Sequence, residues 1–251
     1  MRTEMIDSAL PLIDLHRHLD GSVRLSTILE LGKEHGVKLP GATLQELRPH
    51  AQVMERQPGV MAFISKMLWM TAVLADTGAC RRIARENVED AKREGIDYIE
   101  LRFSPWFMAE PHGLDPERVV AAVIEGGTEG AQATGVRVNL IGILSRTYGP
   151  DIARKELAAL LTQREKIVAL DLAGDEANFS PRLFQEHFKR GRDADTPCMP
   201  LQPKVVKYES DRQSSFASPP VAEIGVARVV GPRRARFHLA QPDFRQTRGG
   251  L

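Results

Sequence analysis

Short β-type segments alternate with amphipathic helical segments along most of this chain, and that alternation constrains its fold more than any other feature. Strands that alternate with helices predict parallel βα units, so we expect an α/β fold with four such units. The β-type runs lie at residues 10–16, 96–103, 136–144 and 167–173. The helical patterns lie at residues 26–36, 59–75, 77–94, 116–134, 152–164 and 181–190, the first with capping-box spacing between Thr27 and Glu30.

The alternation stops near Asp195, where the composition also changes. Residues 1–194 carry 25 basic and 28 acidic side chains, whereas residues 195–251 carry 9 basic and 5 acidic ones and 7 of the 16 prolines. Residues 221–230 are the one part of this last segment with a strand-like pattern. We therefore expect a folded domain at 1–194 and a disordered or irregular tail at 195–251.

Charge and hydropathy indicate which partners and compartment to expect. The net charge of +1 gives no strong field for nucleic acid or membranes. The longest apolar run, residues 67–75, is far shorter than the roughly 20 residues that span a bilayer. Two distant cysteines and no signal peptide favour the cytoplasm. A weaker alternative is a tail that binds nucleic acid through the basic cluster Arg233, Arg234 and Arg236.

The sequence His-Arg-His-Leu-Asp-Gly at residues 16–21 ends the first predicted strand. Because strand side chains alternate, His16 and His18 point to the same face. Two neighbouring imidazoles can bind zinc. The carboxyl end of a strand in a βα barrel is also where the active sites of such barrels lie. Asp20 is positioned to accept a hydrogen bond from a substrate hydroxyl. A chance His-x-His pair remains the alternative to a metal site.

A second polar segment, residues 171–176, follows the fourth predicted strand. Gly174 has no side chain, so a ligand can approach its backbone closely. Asp175 and Glu176 are either an acid/base pair or, the interpretation we favour, solvated carboxylates of a turn. Glu100 and Arg102 share a strand face and are predicted to form a structural pair.

For the other aromatic residues and histidines, the sequence gives only weak indications of a pocket or a metal site. Trp69, Trp106 and Phe107 could wall a pocket, although such residues more often pack in a core or lid. The remaining histidines lack metal-ligand spacing, and we expect each on the surface or in a loop: His35, His50, His112, His187 and His238.

Residues 12–21, Leu-Ile-Asp-Leu-His-Arg-His-Leu-Asp-Gly, are similar to the opening motif of bacterial adenosine deaminases in the metal-dependent hydrolase superfamily. The resemblance runs from about residue 10 to residue 192 and implies the N-terminal half of a (β/α)8 TIM barrel. Asp20 favours adenosine, because adenine deaminases of this superfamily usually carry Glu there. Further motifs of the family follow in order at residues 79–82, 86–90, 98–105, 141–147 and 169–176.

The resemblance implies an activity in purine salvage, the zinc-dependent hydrolysis of adenosine or 2′-deoxyadenosine to inosine or deoxyinosine plus ammonia. It assigns one Zn²⁺ to His16 and His18, the ribose to Asp20 with His18 also near the substrate, and the purine to the backbone of Gly174. Zinc lowers the pKa of a water so that it can attack C6 at neutral pH. The oligomeric state is left open.

The family's remaining catalytic parts, a His-Ala-Gly-Glu motif, a His-Gly motif and an Asp-Asp pair, do not occur in the 251 residues. No proton-donating glutamate or base histidine is therefore identified. Two histidines make a poor catalytic zinc site, which normally has three protein ligands. We predict that this chain is inactive. The alternative is a non-enzymatic truncated remnant or binding module.

The departure from the family begins at the segment Thr-Pro-Cys-Met-Pro, residues 196–200. Family members continue there into Val-His-Ala-Gly-Glu. The codons GTG CAT GCC for Val-His-Ala, read one nucleotide later, encode Cys-Met-Pro. We hypothesise a frameshift just before Cys198 that makes the tail non-homologous and out of frame. An intact gene whose true reading frame encodes this tail would reject the hypothesis.

Overall fold

The computed structural model describes residues 10–55, 59–198 and 226–228. Four parallel strands in chain order form its sheet, and a short fifth strand pairs antiparallel with the first, so the spatial order is β4-β3-β2-β1-β5. This confirms the predicted α/β fold with four βα units. The strands are β1 Leu12–His18, β2 Tyr98–Phe103, β3 Arg137–Ser145, β4 Ile167–Ala173 and β5 Val226–Arg228.

Eight α-helices occur in the described residues. Two of them, α4 and α6, pack closely because glycines replace side chains at their contact: a Cβ on Gly130 would lie 2.6 Å from the Cβ of Val88. The helices are α1 Leu25–Glu34, α2 Leu44–Ala51, α3 Gly59–Thr71, α4 Thr77–Arg93, α5 Pro105–Ala109, α6 Pro116–Thr134, α7 Gly149–Leu161 and α8 Gln185–Asp193.

The capping box lies at a different helix from the one predicted. Helix α1 begins at Leu25 without a side-chain cap. Thr27 instead donates from its hydroxyl to Glu86 at 2.6 Å, which ties α1 to α4. The capping box that the structure forms is Thr43 with Glu46, at the start of α2, a helix that the sequence analysis did not predict.

The core lies between the sheet and the helices around it. One side of the central strand β2 is apolar, with Ile99, Leu101 and Phe103 fully buried. The other side carries Tyr98, Glu100 and Arg102, of which Arg102 is also buried. None of the helices in the described part of the chain combines the length and apolar character needed to cross a bilayer.

Arg102, the buried charged side chain of β2, has a different partner from the one predicted. Its Nη1 contacts the Asp171 carboxylate of β4 at 2.5 Å, and its Nη2 donates to the carbonyl of Leu15 in β1 at 3.2 Å. Glu100, the predicted partner, accepts a hydrogen bond from the Tyr98 hydroxyl. Glu100 and Arg102 are only two residues apart, but Arg102 reaches across the sheet and links three strands.

Two further predictions concern the end of the described chain. His187 is not a surface residue: it is buried in α8, with Nε2 2.8 Å from the carbonyl oxygen of Pro150. After α8 the chain returns beside β4, where Leu170 and Cys198 form a parallel bridge. Strand β5 falls inside the predicted strand at 221–230. The rest of the predicted tail, His238 and the arginine cluster included, lies outside the described residues.

Candidate functional site

A cavity of about 350 Å³ opens at the carboxyl end of the sheet. The structure brings together there the three residues that the sequence analysis assigned to substrate, His18, Asp20 and Gly174. The loops after β1, β2, β3 and β4 all contribute to its wall, as expected for a βα-barrel site. The other lining residues are Ile64, Ser65, Met67, Leu68, Ser104, Phe107, Ile143, Ser145, Thr147, Tyr148 and Ala173.

His16 and His18 lie side by side at the end of β1. Their ring centroids are 5.4 Å apart and their planes are tilted by 53°. The pairing register of β1 with β2 shifts between Asp14 and Arg17. The buried Asp14 holds this irregular segment by accepting the amide of His16 at 3.0 Å and the Nε of Arg17 at 2.8 Å. Such irregularities re-aim side chains near functional sites.

Asp20 has one carboxylate oxygen that is satisfied and one that is not. Its side chain is only 2% exposed. Oδ2 accepts the backbone amide of Ser104 at 3.0 Å. Oδ1 is buried, has no hydrogen-bond partner among the described residues, and lies 3.7 Å from Nδ1 of His18. An unpaired buried acceptor is costly, so Oδ1 is the atom of this wall best placed to receive a donor from a ligand.

Gly174 follows β4 in a conformation that other residues rarely adopt, with φ +107°. A Cβ at this position would lie 2.6 Å from Oγ1 of Thr147, which itself accepts the amide of Asp175 at 3.1 Å. Both the backbone angle and the close neighbour therefore require glycine here. Gly174 itself lines the cavity, and Thr147 fills the space on the side where a Cβ would lie.

Asp175 and Glu176 have the contacts of a turn. Asp175 accepts the side-chain amide of Asn178 at 2.6 Å, and this hydrogen bond is the main reason that the pKa of Asp175 is lowered. Glu176 forms an ion pair with Arg146 at 3.3 Å. Neither carboxylate lines the cavity in the described part of the chain, which agrees with the interpretation as a turn rather than an acid/base pair.

Of the three aromatic residues considered from the sequence, Phe107 lines the cavity. Trp106 instead stacks under the ammonium group of Lys155, 5.2 Å from the ring centroid. Trp69 packs against the hydrophobic core. The apolar wall of the cavity comes largely from α3, through Ile64, Met67 and Leu68.

Glu156 is a buried residue beside the site that the sequence analysis missed. It projects from α7 and is fully buried. Burial is the main reason that its pKa is raised to about 7, and the charge of Asp20 adds to the effect. The sequence carried a signal, because Glu156 lies three residues after the buried Ala153 and four before the buried Leu160 and so shares the apolar face of α7.

The paired histidines fit part of a zinc site. Two neighbouring imidazoles supply ligands that zinc prefers, but a catalytic zinc normally has three protein ligands. Within residues 10–55 and 59–198, no group of three His, Cys, Asp or Glu side chains is arranged to hold a metal ion. The described residues therefore offer two imidazoles as candidate zinc ligands, and no catalytic step through a metal is derived from them.

A parallel sheet wrapped by helices, with a largely apolar cavity at its carboxyl edge, defines the fold as the N-terminal part of a TIM barrel. An adenine deaminase from Arthrobacter aurescens shares this fold at a TM-score of 0.68 and 24% identity, over 76% of this chain and 57% of that one. The family model described as adenosine deaminase matches residues 11–200. The chain belongs to the adenosine deaminase family.

Curated relatives support this membership. The adenosine deaminase of Edwardsiella ictaluri is 56% identical over 190 residues, 76% of this chain and 57% of that protein. This chain thus spans little more than half the length of such a relative. The adenosine deaminase of Erwinia tasmaniensis is 55% identical over 240 residues, 96% of this chain and 70% of that protein. That alignment continues into the tail, so the boundary at residue 194 and the frameshift stay predictions.

Two further solved structures carry ligands. A Burkholderia ambifaria amidohydrolase with bound zinc has a TM-score of 0.66 at 24% identity, over 76% of this chain and 51% of that one. The Arabidopsis protein ADAL in complex with IMP has a TM-score of 0.62 at 26% identity, over 76% of this chain and 57% of that one.

Proposed function

We propose that this chain binds adenosine or 2′-deoxyadenosine in the 350 Å³ cavity and is the nucleoside-binding part of an adenosine deaminase. The observation that carries the proposal is the unpaired Oδ1 of Asp20 in the cavity wall. A ribose hydroxyl is a neutral donor that satisfies this oxygen without bringing a second charge into the site. The relatives of this family are named adenosine deaminases.

The size and lining of the cavity suit a nucleoside. Small-molecule sites have volumes of roughly 300–1,000 Å³ and mostly apolar walls with a few polar groups. Met67, Leu68 and Phe107 offer apolar surface to a flat purine, and Gly174 exposes its backbone to the base edge. The polar end, His18 and Asp20, then faces the ribose and the reacting edge of the purine.

We also propose that His16 and His18 ligate one zinc ion. When bound, zinc supplies the Lewis acidity that lets water act as a nucleophile at neutral pH. In the proposed reaction, water adds at C6 of the purine and ammonia leaves, giving inosine or deoxyinosine. The protein groups that protonate the ring and activate the water in this family do not occur in the 251 residues. We therefore propose that the chain binds nucleoside without turning it over, as a binding module or remnant.

The same proposal gives expectations for the ligand, the partners and the cellular compartment of the protein. The ligand is a small nucleoside, and we propose no nucleic acid or membrane partner because the net charge is only +1. The cytoplasm remains the predicted compartment.

We expect the Asp20→Ala variant to bind adenosine about 10- to 100-fold more weakly than the unmodified chain, because a hydroxyl–carboxylate hydrogen bond contributes about 1.5–3 kcal/mol. Titration calorimetry with adenosine measures the change. Asp193→Ala, which removes an exposed carboxylate, is the matched control and should bind normally. The proposal is wrong if the unmodified chain binds no adenosine or if Asp20→Ala binds it equally well. Release of ammonia from adenosine would contradict only the predicted inactivity.

The zinc proposal has a separate expected result. The chain purified with added Zn²⁺ should retain about one ion per molecule, and His16→Ala should retain almost none, because one remaining imidazole is a weak site. Elemental analysis after dialysis measures the ratio. His50→Ala, which removes an exposed histidine of α2, should leave it unchanged. Equal zinc content in His16→Ala and the unmodified chain would exclude this site.

A further inference from the structure

Glu156 of α7 connects the ends of two neighbouring strands. Its Oε1 accepts the Ser104 hydroxyl at 2.5 Å and the Trp106 amide at 3.2 Å, both just after β2. Its Oε2 accepts the Ser145 amide at 2.6 Å, at the end of β3. One carboxylate thus satisfies three donors that would otherwise be left buried beneath the cavity.

Ser104 joins Glu156 to Asp20. The Ser104 hydroxyl donates to Glu156, while its backbone amide donates to Oδ2 of Asp20 at 3.0 Å. The same hydroxyl accepts the amide of Phe107 at 3.1 Å and caps α5. Its proton therefore points to Glu156, and rotation of the Ser104 side chain is restricted. Ser104 and Ser145 both line the cavity, so Glu156 holds two parts of its wall.

The Glu156 side chain is buried and has an acidic neighbour, Asp20, in place of a counterion. Among the described residues it forms no ion pair, and the charge that acts on it is that of Asp20, which raises its pKa further. The neighbouring Tyr148, whose own pKa is raised, brings no positive charge. Burying a carboxylate is costly, and close packing alone would be served better by an apolar side chain. A buried carboxylate at this position therefore indicates a requirement for its acceptor oxygens.

We propose that Glu156 is a positioning residue for nucleoside binding, which fixes Ser104 and thereby aims Oδ1 of Asp20 at the ribose. This inference rests on the proposed function. Glu156 does not line the cavity in the described residues, so its effect on a ligand passes through Ser104 and Ser145, and Ser104 is the one that donates to Asp20. It follows that Glu156 should matter for ligands that carry a ribose and not for the free base.

The test compares adenosine with adenine, which lacks the ribose, in the Glu156→Gln variant. We expect adenosine affinity to fall about tenfold, the effect of about 1.4 kcal/mol, and adenine affinity to stay unchanged. In the Asp20→Ala background, Glu156→Gln should cause no further loss for adenosine. Glu165→Gln, the same change at an exposed position, is the control. Equal losses for adenosine and adenine would show a general structural role and overturn the proposal.

A ligand-free measurement separates this proposal from the proposed function. In Glu156→Gln the Ser104 amide, which donates to Asp20, should exchange with solvent about tenfold faster than in the unmodified chain. Unchanged protection overturns the positioning role even if the unmodified chain binds no nucleoside. If Glu156→Gln does not fold, Ser104→Ala removes the hydroxyl link to Glu156, together with the cap of α5, and leaves Glu156 in place. It should show the same selective loss of adenosine, and normal adenosine affinity in Ser104→Ala would overturn the proposal.

Discussion

The Asp171→Ala variant is expected to lose about 3 kcal/mol of its free energy of unfolding, because it leaves a buried guanidinium without its counterion. The Arg102 side chain is 2% exposed, and its Nη1 contacts Asp171 at 2.5 Å. Breaking a buried pair costs about 3–5 kcal/mol. We expect the lower end because the Asp171 side chain is 19% exposed, so water can enter when the carboxylate is removed. Urea unfolding followed by circular dichroism measures the change.

The control for this experiment is Asp151→Ala, which breaks an exposed pair with Arg154. Exposed pairs contribute about 0–1 kcal/mol, so this variant should unfold like the unmodified chain. The double variant Arg102→Met, Asp171→Leu should recover most of the stability, because both charges are then gone. A loss below about 1 kcal/mol in Asp171→Ala would show that Arg102 does not depend on this carboxylate.

The free energy of unfolding should fall by about 3 kcal/mol between pH 4.5 and pH 7 relative to the Glu156→Gln variant. Burial raises the pKa of Glu156 from its ordinary 4.5 to about 7. Between these values the folded chain holds a proton that the unfolded chain has released. The stabilisation from this proton is complete below pH 4.5 and is lost as the pH rises through about 7.

Comparison with Glu156→Gln isolates this one titration, because all other ionisable groups titrate in both proteins. Chemical unfolding at a series of pH values gives the difference in free energy. Glu165→Gln should parallel the unmodified chain, since Glu165 is exposed. A constant difference between the unmodified chain and Glu156→Gln from pH 4.5 to pH 7 would mean that Glu156 is ionised throughout this range.

The positions of the substrate residues could be predicted from local sequence. His18, Asp20 and Gly174 directly follow or end apolar strand patterns, and parallel strands bring their carboxyl ends to one edge. The cavity at that edge contains all three residues. Their roles toward zinc and nucleoside remain predictions, because spacing along a strand does not reveal what occupies the space beside it.

The missed features depend on contacts between distant segments. The partner of Arg102 is 69 residues away in the sequence, and no local pattern distinguishes Asp171 from the nearer Glu100. Thr27 and Glu30 have the spacing of a capping box, but the Thr27 hydroxyl donates a hydrogen bond to Glu86 of α4 instead. Helix α2 was missed although Thr43 and Glu46 have the same spacing, because Pro49 inside it reads as a helix breaker.

The side-by-side order of β1 to β4 has a consequence for how the chain is made. Each new strand pairs with the one synthesised just before it, so pairing can proceed on the ribosome from the N-terminus onward. The later pairs join segments closer in sequence than β1 and β2 are, Tyr98 with Arg137 and Leu140 with Ile167, and shorter separation favours rapid pairing. All residues that line the pocket lie between His18 and Gly174, so they have all emerged once β4 and the turn after it have left the ribosome.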